Sequence, residues 1–262
     1  MRTPASVLAD ILRADPARPR VTFYEDTPGD TQGERIELSG KVLANWVSKA
    51  GNALQDGYDL GPGSVVRLSL PPHWRALYWA LAAWSVGATV DLTGGAGDGA
   101  NAAADLLVCD HPDAVNATLA PGDIILVTLG ALARVHTAPL PAGAMDEARE
   151  LATFGDQLAA LADPAADDLA LITQAARTPY RAVVPERDWP AGARVSLAGD
   201  LAQVLESTLA AWAVGGSVVL ARNGAHAGVG LRPERLASER VTLNLAQGPQ
   251  PAIHADLGDG AR

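Results

Sequence analysis

The sequence predicts an α/β protein of layered sheets with flanking helices, in two related halves. Two observations predict it. The first is a repeat. Leu81-Ala82-Ala83-Trp84-Ser85-Val86-Gly87-Ala88-Thr89-Val90 and Leu209-Ala210-Ala211-Trp212-Ala213-Val214-Gly215-Gly216-Ser217-Val218 match in register, and the unmatched positions exchange small residues for small. Each copy reads as the end of an apolar helix, a glycine free to take a left-handed cap, and a β-branched run, Ala88–Leu92 or Ser217–Ala221. The second is the alternation of helix-period segments with short apolar runs, the order that builds sheets covered by helices.

Taken in order, Thr3 is a helix cap with Pro4 at the first helical position, and Val7, Leu8, Ile11 and Leu12 share one face. Pro16 and Pro19 end that segment. Val21–Tyr24 and Arg35–Leu38 are predicted strands joined by the polar turn Asp26–Gly33. Ser39 caps a helix with Val42, Leu43, Trp46, Val47, Ala50 and Leu54 inward, ended by Gly57 and the Gly61-Pro62-Gly63 turn. Val65–Leu70 is a buried strand broken by Pro71-Pro72, and the helix Trp74–Val86 leads into the first repeat strand. Asp105–Cys109 and Ile124–Thr128 are further strands, with turns at Gly122-Asp123 and Pro139–Gly143. Asp146–Leu161 reads as helix, Leu169–Thr173 and Tyr180–Val184 as strands, and Leu197–Val214 as a long helix. A short helix Pro233–Ser238 and a strand Val241–Leu245 follow, and the tail from Gly248 is expected to fray. The acidic segment 163–168 divides a first α/β subdomain, 1–162, from a smaller second, 169–262.

Composition narrows the function. A formal charge of −10 disfavours nucleic-acid binding, which needs a basic face. The single cysteine, Cys109, excludes an internal disulfide and a multi-cysteine zinc site, and its apolar neighbours mark it as core. No apolar run is long enough for a bilayer and no signal peptide opens the chain, so a cytoplasmic protein that avoids membranes is expected. His73, His111, His136, His226 and His254 show no helical metal-ligand spacing, so no metal is expected. Gly95–Ala100 fits a G-x-G-x-x-A fingerprint but lies too close to the strand at Asp105 for the helix that motif requires. There is no Walker lysine and no G-x-S-x-G elbow. Trp74, Trp79 and Trp84 share a helix with Tyr78 and are assigned to core packing.

The order of pieces resembles the N-terminal part of the adenylate-forming enzymes, the acyl-CoA synthetases, luciferase and peptide-synthetase adenylation domains. The matching series is Arg20–Leu38, Ser39–Asp56, Gly61–Pro72 and His73–Leu92, followed by Ala102–Asp110. The second repeat copy and Glu239-Arg240-Val241-Thr242 match the later helix, strand and short Glu-x-Val-Thr element. The resemblance covers about residues 5 to 247 and rests on element order.

It implies that the family's phosphate loop, Thr-Ser-Gly-[Ser/Thr]-Thr-Gly-x-Pro-Lys-Gly, corresponds to Thr173-Gln174-Ala175-Ala176-Arg177-Thr178-Pro179-Tyr180-Arg181-Ala182. Here the inner glycines and the lysine are gone, and the loop is one residue shorter. Wrapping phosphates with backbone N–H groups usually needs glycine conformations. With Lys41 and Lys49 the only lysines, and no counterpart before Arg262 of the adenine-contacting motif or of the lid domain, no residue is expected to neutralise a transferring phosphate. The expectation is therefore a protein with no catalytic residues and no resident cofactor, kept as a binding or scaffolding domain, as a homodimer or with a partner protein. The alternative is a truncated protein that still binds a nucleotide or acyl group and works with another chain. Any residual AMP, ATP or phosphate binding falls to Thr173, Gln174, Arg177, Thr178 and Arg181, against the plainer reading of that stretch as a connecting turn.

Overall fold

The computed structural model describes residues 1–93, 104–111, 123–137, 139–223, 226–227 and 231–245. Two sheets sandwich a layer of helices. Strands are numbered along the chain. The first sheet runs β13 (Leu243–Asn244), β10 (Arg194–Ser196), β11 (Ser217–Asn223), β1 (Pro19–Glu25), β2 (Arg35–Ser39), with β12 (His226–Ala227) beside β11. The second runs β7 (Met145–Asp146), β6 (Ile124–Leu126), β5 (Leu106–Cys109), β3 (Val65–Ser69), β4 (Thr89–Asp91), β8 (Leu169–Ile172), β9 (Arg177–Pro179). The described pairings are parallel except β1–β2, β11–β12 and β8–β9. Each sheet takes strands from both sides of residues 163–168, so that segment separates stretches of sequence without separating the sheets.

The helices start where short-range chemistry starts them. α1 (Pro4–Ala14) is capped by Thr3, whose Oγ1 accepts from the Ser6 N–H, and α2 (Gly40–Asn52) by Ser39 accepting from Val42 N–H. α3 (Trp74–Ser85) is apolar on every face save for Arg75, and Trp74 to Trp84 is buried throughout. A helix of that kind has to be central, and α3 touches α1, α2, α5 (Leu201–Ala213), β1 and β3.

The two repeat copies adopt one structure. Gly87 at φ +85° and Gly215 at φ +70° end α3 and α5 in the left-handed region. Ala88 N–H donates to Ala83 O at 2.9 Å, and Gly216 N–H to Ala211 O at 2.8 Å. Trp84 Nε1 donates to Ala170 O on β8, the neighbour of β4, and Trp212 Nε1 to Arg20 O on β1, the neighbour of β11. Val90 and Val218 lie in sheet interiors, as their apolar flanks require.

The copies differ at one position for a steric reason. A Cβ on Gly216 would lie 2.7 Å from Ala211 O and closer still to Ala193 O, both backbone atoms, whereas the first copy holds Ala88 there. Gly216→Ala is expected to destabilise the fold by about 2 kcal/mol or more, and Ala88→Gly by about 0.5–1 kcal/mol. Urea unfolding of the two variants checks this, and equal costs would mean that β10 can give way.

The sequence reading lacks β7, β9 and β12, and four further segments depart from it. The expected helix 146–161 is only α4 (Glu147–Glu150) and a 3-10 turn, Leu151–Thr153. Beyond it, side chains of α2 and the turn that follows take up backbone carbonyls: Lys49 bonds Ala152 O and Phe154 O, Asn52 bonds Gly155 O and Gln157 O, and Gln55 bonds Ala159 O. Those three residues lie about one turn apart and form a rail that holds 154–159 out of helix. Tyr180–Val184 is a turn and not a strand, because Tyr180 and Arg181 N–H bond back to Asp168 O and Ala166 O. The long helix starts at Leu201 and not Leu197: Asp200 and Gln203 form a reciprocal capping box. β10 was not anticipated at all. The Gly95–Ala100 fingerprint and the tail from Gly248 lie outside the described residues.

Candidate functional site

Because β3, β4, β5 and β8 are mutually parallel along the sheet, their carboxyl ends share one rim. β4 follows β3 on one side of it and β5 lies on the other, so the chain reverses direction across the sheet at β3. Crevices of open α/β sheets form at such a switch. A cleft of about 1220 Å³ lies there, between that rim on one side and the start of α5 and the carboxyl end of β11 on the other. Its apolar wall includes Leu68, Leu70, Leu92, Leu171, Leu201 and Leu205. The exit of β4 is braced by buried Asp91, which accepts from Arg67 Nε at 3.0 Å and Nη2 at 2.8 Å and from Thr93 N–H and Oγ1.

The stretch corresponding to the phosphate loop is the tight connection between β8 and β9. Thr173 N–H donates to Ala176 O at 2.9 Å, and Ala176 N–H to Thr173 Oγ1 at 3.0 Å. The turn thus uses these two N–H donors internally. Thr173, Gln174 and Thr178 line the cleft. Arg177 and Arg181 are exposed, do not line it, and are not brought together on it; Arg181 is ion-paired with Asp167.

The cleft's own charges come from residues that the sequence reading did not single out. Arg222, at the carboxyl end of β11, is held on buried Glu25 through Nε at 2.8 Å and Nη2 at 2.5 Å. Asp110, at the carboxyl end of β5, has a side chain only 8% exposed, 3.4 Å from the exposed His111 Nε2. Burial pushes its carboxyl above the ordinary value, opposed by His111 and Arg222. Asp200 and Glu206 come from the start of α5, and Glu206 pairs with Arg187. The signal for Asp110 was present, since it is the polar residue that ends a fully buried strand at the sheet's carboxyl rim.

Two further charged clusters hold the frame. Arg75 on α3 donates to Glu147 Oε1 at 2.9 Å and to Gly130 O at 3.1 Å, and the Tyr78 hydroxyl also donates to Glu147. Burial pushes the Glu147 carboxyl up, outweighing Arg75, Tyr78 and the Thr128 N–H. Glu239 receives Tyr24, Arg35 and Arg194. Burial alone would raise it, but those donors hold it below the ordinary carboxylate range. His73 caps α3 through Nδ1, and burial holds its pKa well below the ordinary value, so it is a neutral acceptor. Among the described residues, no cluster of His, Cys, Asp and Glu has the geometry to hold a metal ion, and no helix is long and apolar enough to cross a membrane. Cys109 is buried core, its thiol pushed up to about 12 by burial.

No family model matches the chain. A curated protein of Mycobacterium tuberculosis (strain ATCC 25618 / H37Rv), described as a TIGR03089 family protein, is 32% identical over 252 residues, covering 94% of this chain and 100% of that protein. Among solved structures, an artificially fused adenylation–PCP di-domain from Klebsiella oxytoca superposes with a TM-score of 0.65 at 15% identity, over 93% of this chain and 43% of that one. A Brucella canis acyl-CoA synthetase gives 0.62 at 17% identity, over 85% and 43%. The N-terminal domain of FACL13 from Mycobacterium tuberculosis gives 0.62 at 12% identity, over 93% and 62%. The chain thus spans between 43% and 62% of the length of these solved structures, and at such identities the likeness is one of fold.

Proposed function

The chain belongs to the TIGR03089 family and carries the fold of the N-terminal part of the adenylate-forming enzymes, and from that premise we propose that it is a non-adenylating binding domain. Its ligand occupies the cleft at the switch point, against the leucine wall. The observation that carries this is the β8–β9 turn. The Thr173 and Ala176 N–H groups and the Thr173 hydroxyl are closed on one another, its arginines are exposed and do not line the cleft, and it holds neither glycine nor lysine. Phosphoryl and nucleotidyl transfer depend on donors and cations aimed at the developing charge. Among the described residues, the guanidinium that does line the cleft, Arg222, is tied to Glu25.

The test is exchange of labelled pyrophosphate into ATP with a panel of aliphatic, aromatic and amino acids. Exchange no higher than the protein-free blank is expected for every acid. Robust exchange that Arg181→Ala abolishes overturns the proposal and favours a working enzyme whose loop reorganises on binding.

A further inference from the structure

We infer that the cleft selects an amphiphile with an apolar body and a cationic head group, and that the Asp110 carboxylate is the anchor for that head. The inference rests on the non-adenylating reading and gives the ligand class of the same site. Its basis is the balance of charge along the cleft. Among the described lining residues, Asp110, Asp200 and Glu206 contribute three carboxylates, and Arg222 the one guanidinium. Arg222 is already neutralised by Glu25, which holds its Nε and Nη2. Glu206 is met by Arg187 at the exposed rim, and Asp200 accepts the Gln203 N–H as the cap of α5.

Asp110 differs from the other two. Its side chain is more than nine-tenths buried, it lines the cleft, and its ion-pair contact among the described residues is His111 at 3.4 Å, on a side chain that is 76% exposed, with Arg222 and His136 acting on it from beyond contact. A carboxylate taken out of water without a full counter-charge is unfavourable, and a cation arriving from the cleft relieves it. An anionic head brought to the same place meets Asp110 with no free guanidinium to offset the repulsion. The apolar part of the ligand has Leu68, Leu70, Leu171, Leu201 and Leu205 to cover it, and the volume accommodates a chain of ordinary fatty length. A ligand of this kind is the reverse in charge of a phosphate or carboxylate.

The experiment compares decylamine, decanol and decanoate at pH 8, each below its aggregation limit, by calorimetric titration of the intact protein. Decylamine is expected to bind at least about tenfold more tightly than decanoate, with decanol between them, since a charge contact at a buried carboxylate is worth that much or more. Asp110→Asn is expected to weaken decylamine by about tenfold, leave decanol unchanged and improve decanoate. The wild-type order of the three probes needs no variant, so it decides the matter even if Asp110→Asn fails to fold. Decanoate binding as tightly as decylamine, or no binding of any of the three, overturns the inference. Neither result touches the pyrophosphate-exchange test, which fails or succeeds independently.

Discussion

Arg75→Met is expected to lower the unfolding free energy by about 3–5 kcal/mol, the usual cost of removing one partner of a buried ion pair. The Arg75 and Glu147 side chains are 4% and 1% exposed and sit 2.9 Å apart at the start of the central helix. The substitution strands Glu147, whose Oε2 already has no hydrogen-bond partner among the described residues. It also frees Gly130 O and takes the guanidinium off the Trp74 ring, which it covers at 4.4 Å from the centroid. Glu147→Leu alone should cost a comparable amount for the converse reason. The double variant Arg75→Met/Glu147→Leu should recover most of the loss, because two apolar groups leave no uncompensated charge. Urea unfolding of the three variants provides the check. A loss under about 1 kcal/mol for Arg75→Met would mean that water reaches the pair and screens it.

Trp84→Ala and Trp212→Ala are each expected to cost about 3–5 kcal/mol, and Trp→Phe about 1–2 kcal/mol at either position. Both indoles are 2% exposed, and both carry the Nε1 donor that joins a helix of one βα unit to the strand beside it. Truncation leaves a cavity under the helix, whereas phenylalanine fills most of it and loses only the donor. The matched costs are the sharper part of the expectation. Because the two copies share the glycine cap, the helix-to-strand hydrogen bond and the indole contact, their Trp→Phe losses should agree within about 0.5 kcal/mol. If one substitution is nearly neutral and the other costs several kcal/mol, the likeness of the copies is geometric only. Thermal unfolding followed by circular dichroism measures both.

The candidate site was half legible. The phosphate-loop correspondence singled out Thr173, Gln174, Arg177, Thr178 and Arg181 for residual anion binding, and of these Thr173, Gln174 and Thr178 line the cleft. Arg177 and Arg181 were grouped with them because sequence proximity and positive charge suggest a shared task. The turn instead sends both outward, and Asp167, on the approach to β8, takes Arg181. Asp110 and Arg222 stand far apart in sequence, and no spacing rule connects them. They meet because two separate sheets present their carboxyl ends to one crevice.

What the sequence determined by itself is what depends on neighbours within a few residues. Thr3, Ser39 and the proline after Arg232 begin helices, Gly87 and Gly215 end them, and Val90 and Val218 are buried strands, all from short-range hydrogen bonding, backbone sterics and hydrophobic period. The tertiary structure decided the rest: that β1 pairs with β11 across nearly the whole chain, that Lys49, Asn52 and Gln55 hold 154–159 out of helix where the local pattern favours it, and that Tyr180 turns to bond Ala88 O at 2.8 Å. Each of these exchanges a local backbone partner for a distant one. Burial makes most polar groups find a partner, but which one is set by the packing of layers that share no stretch of sequence.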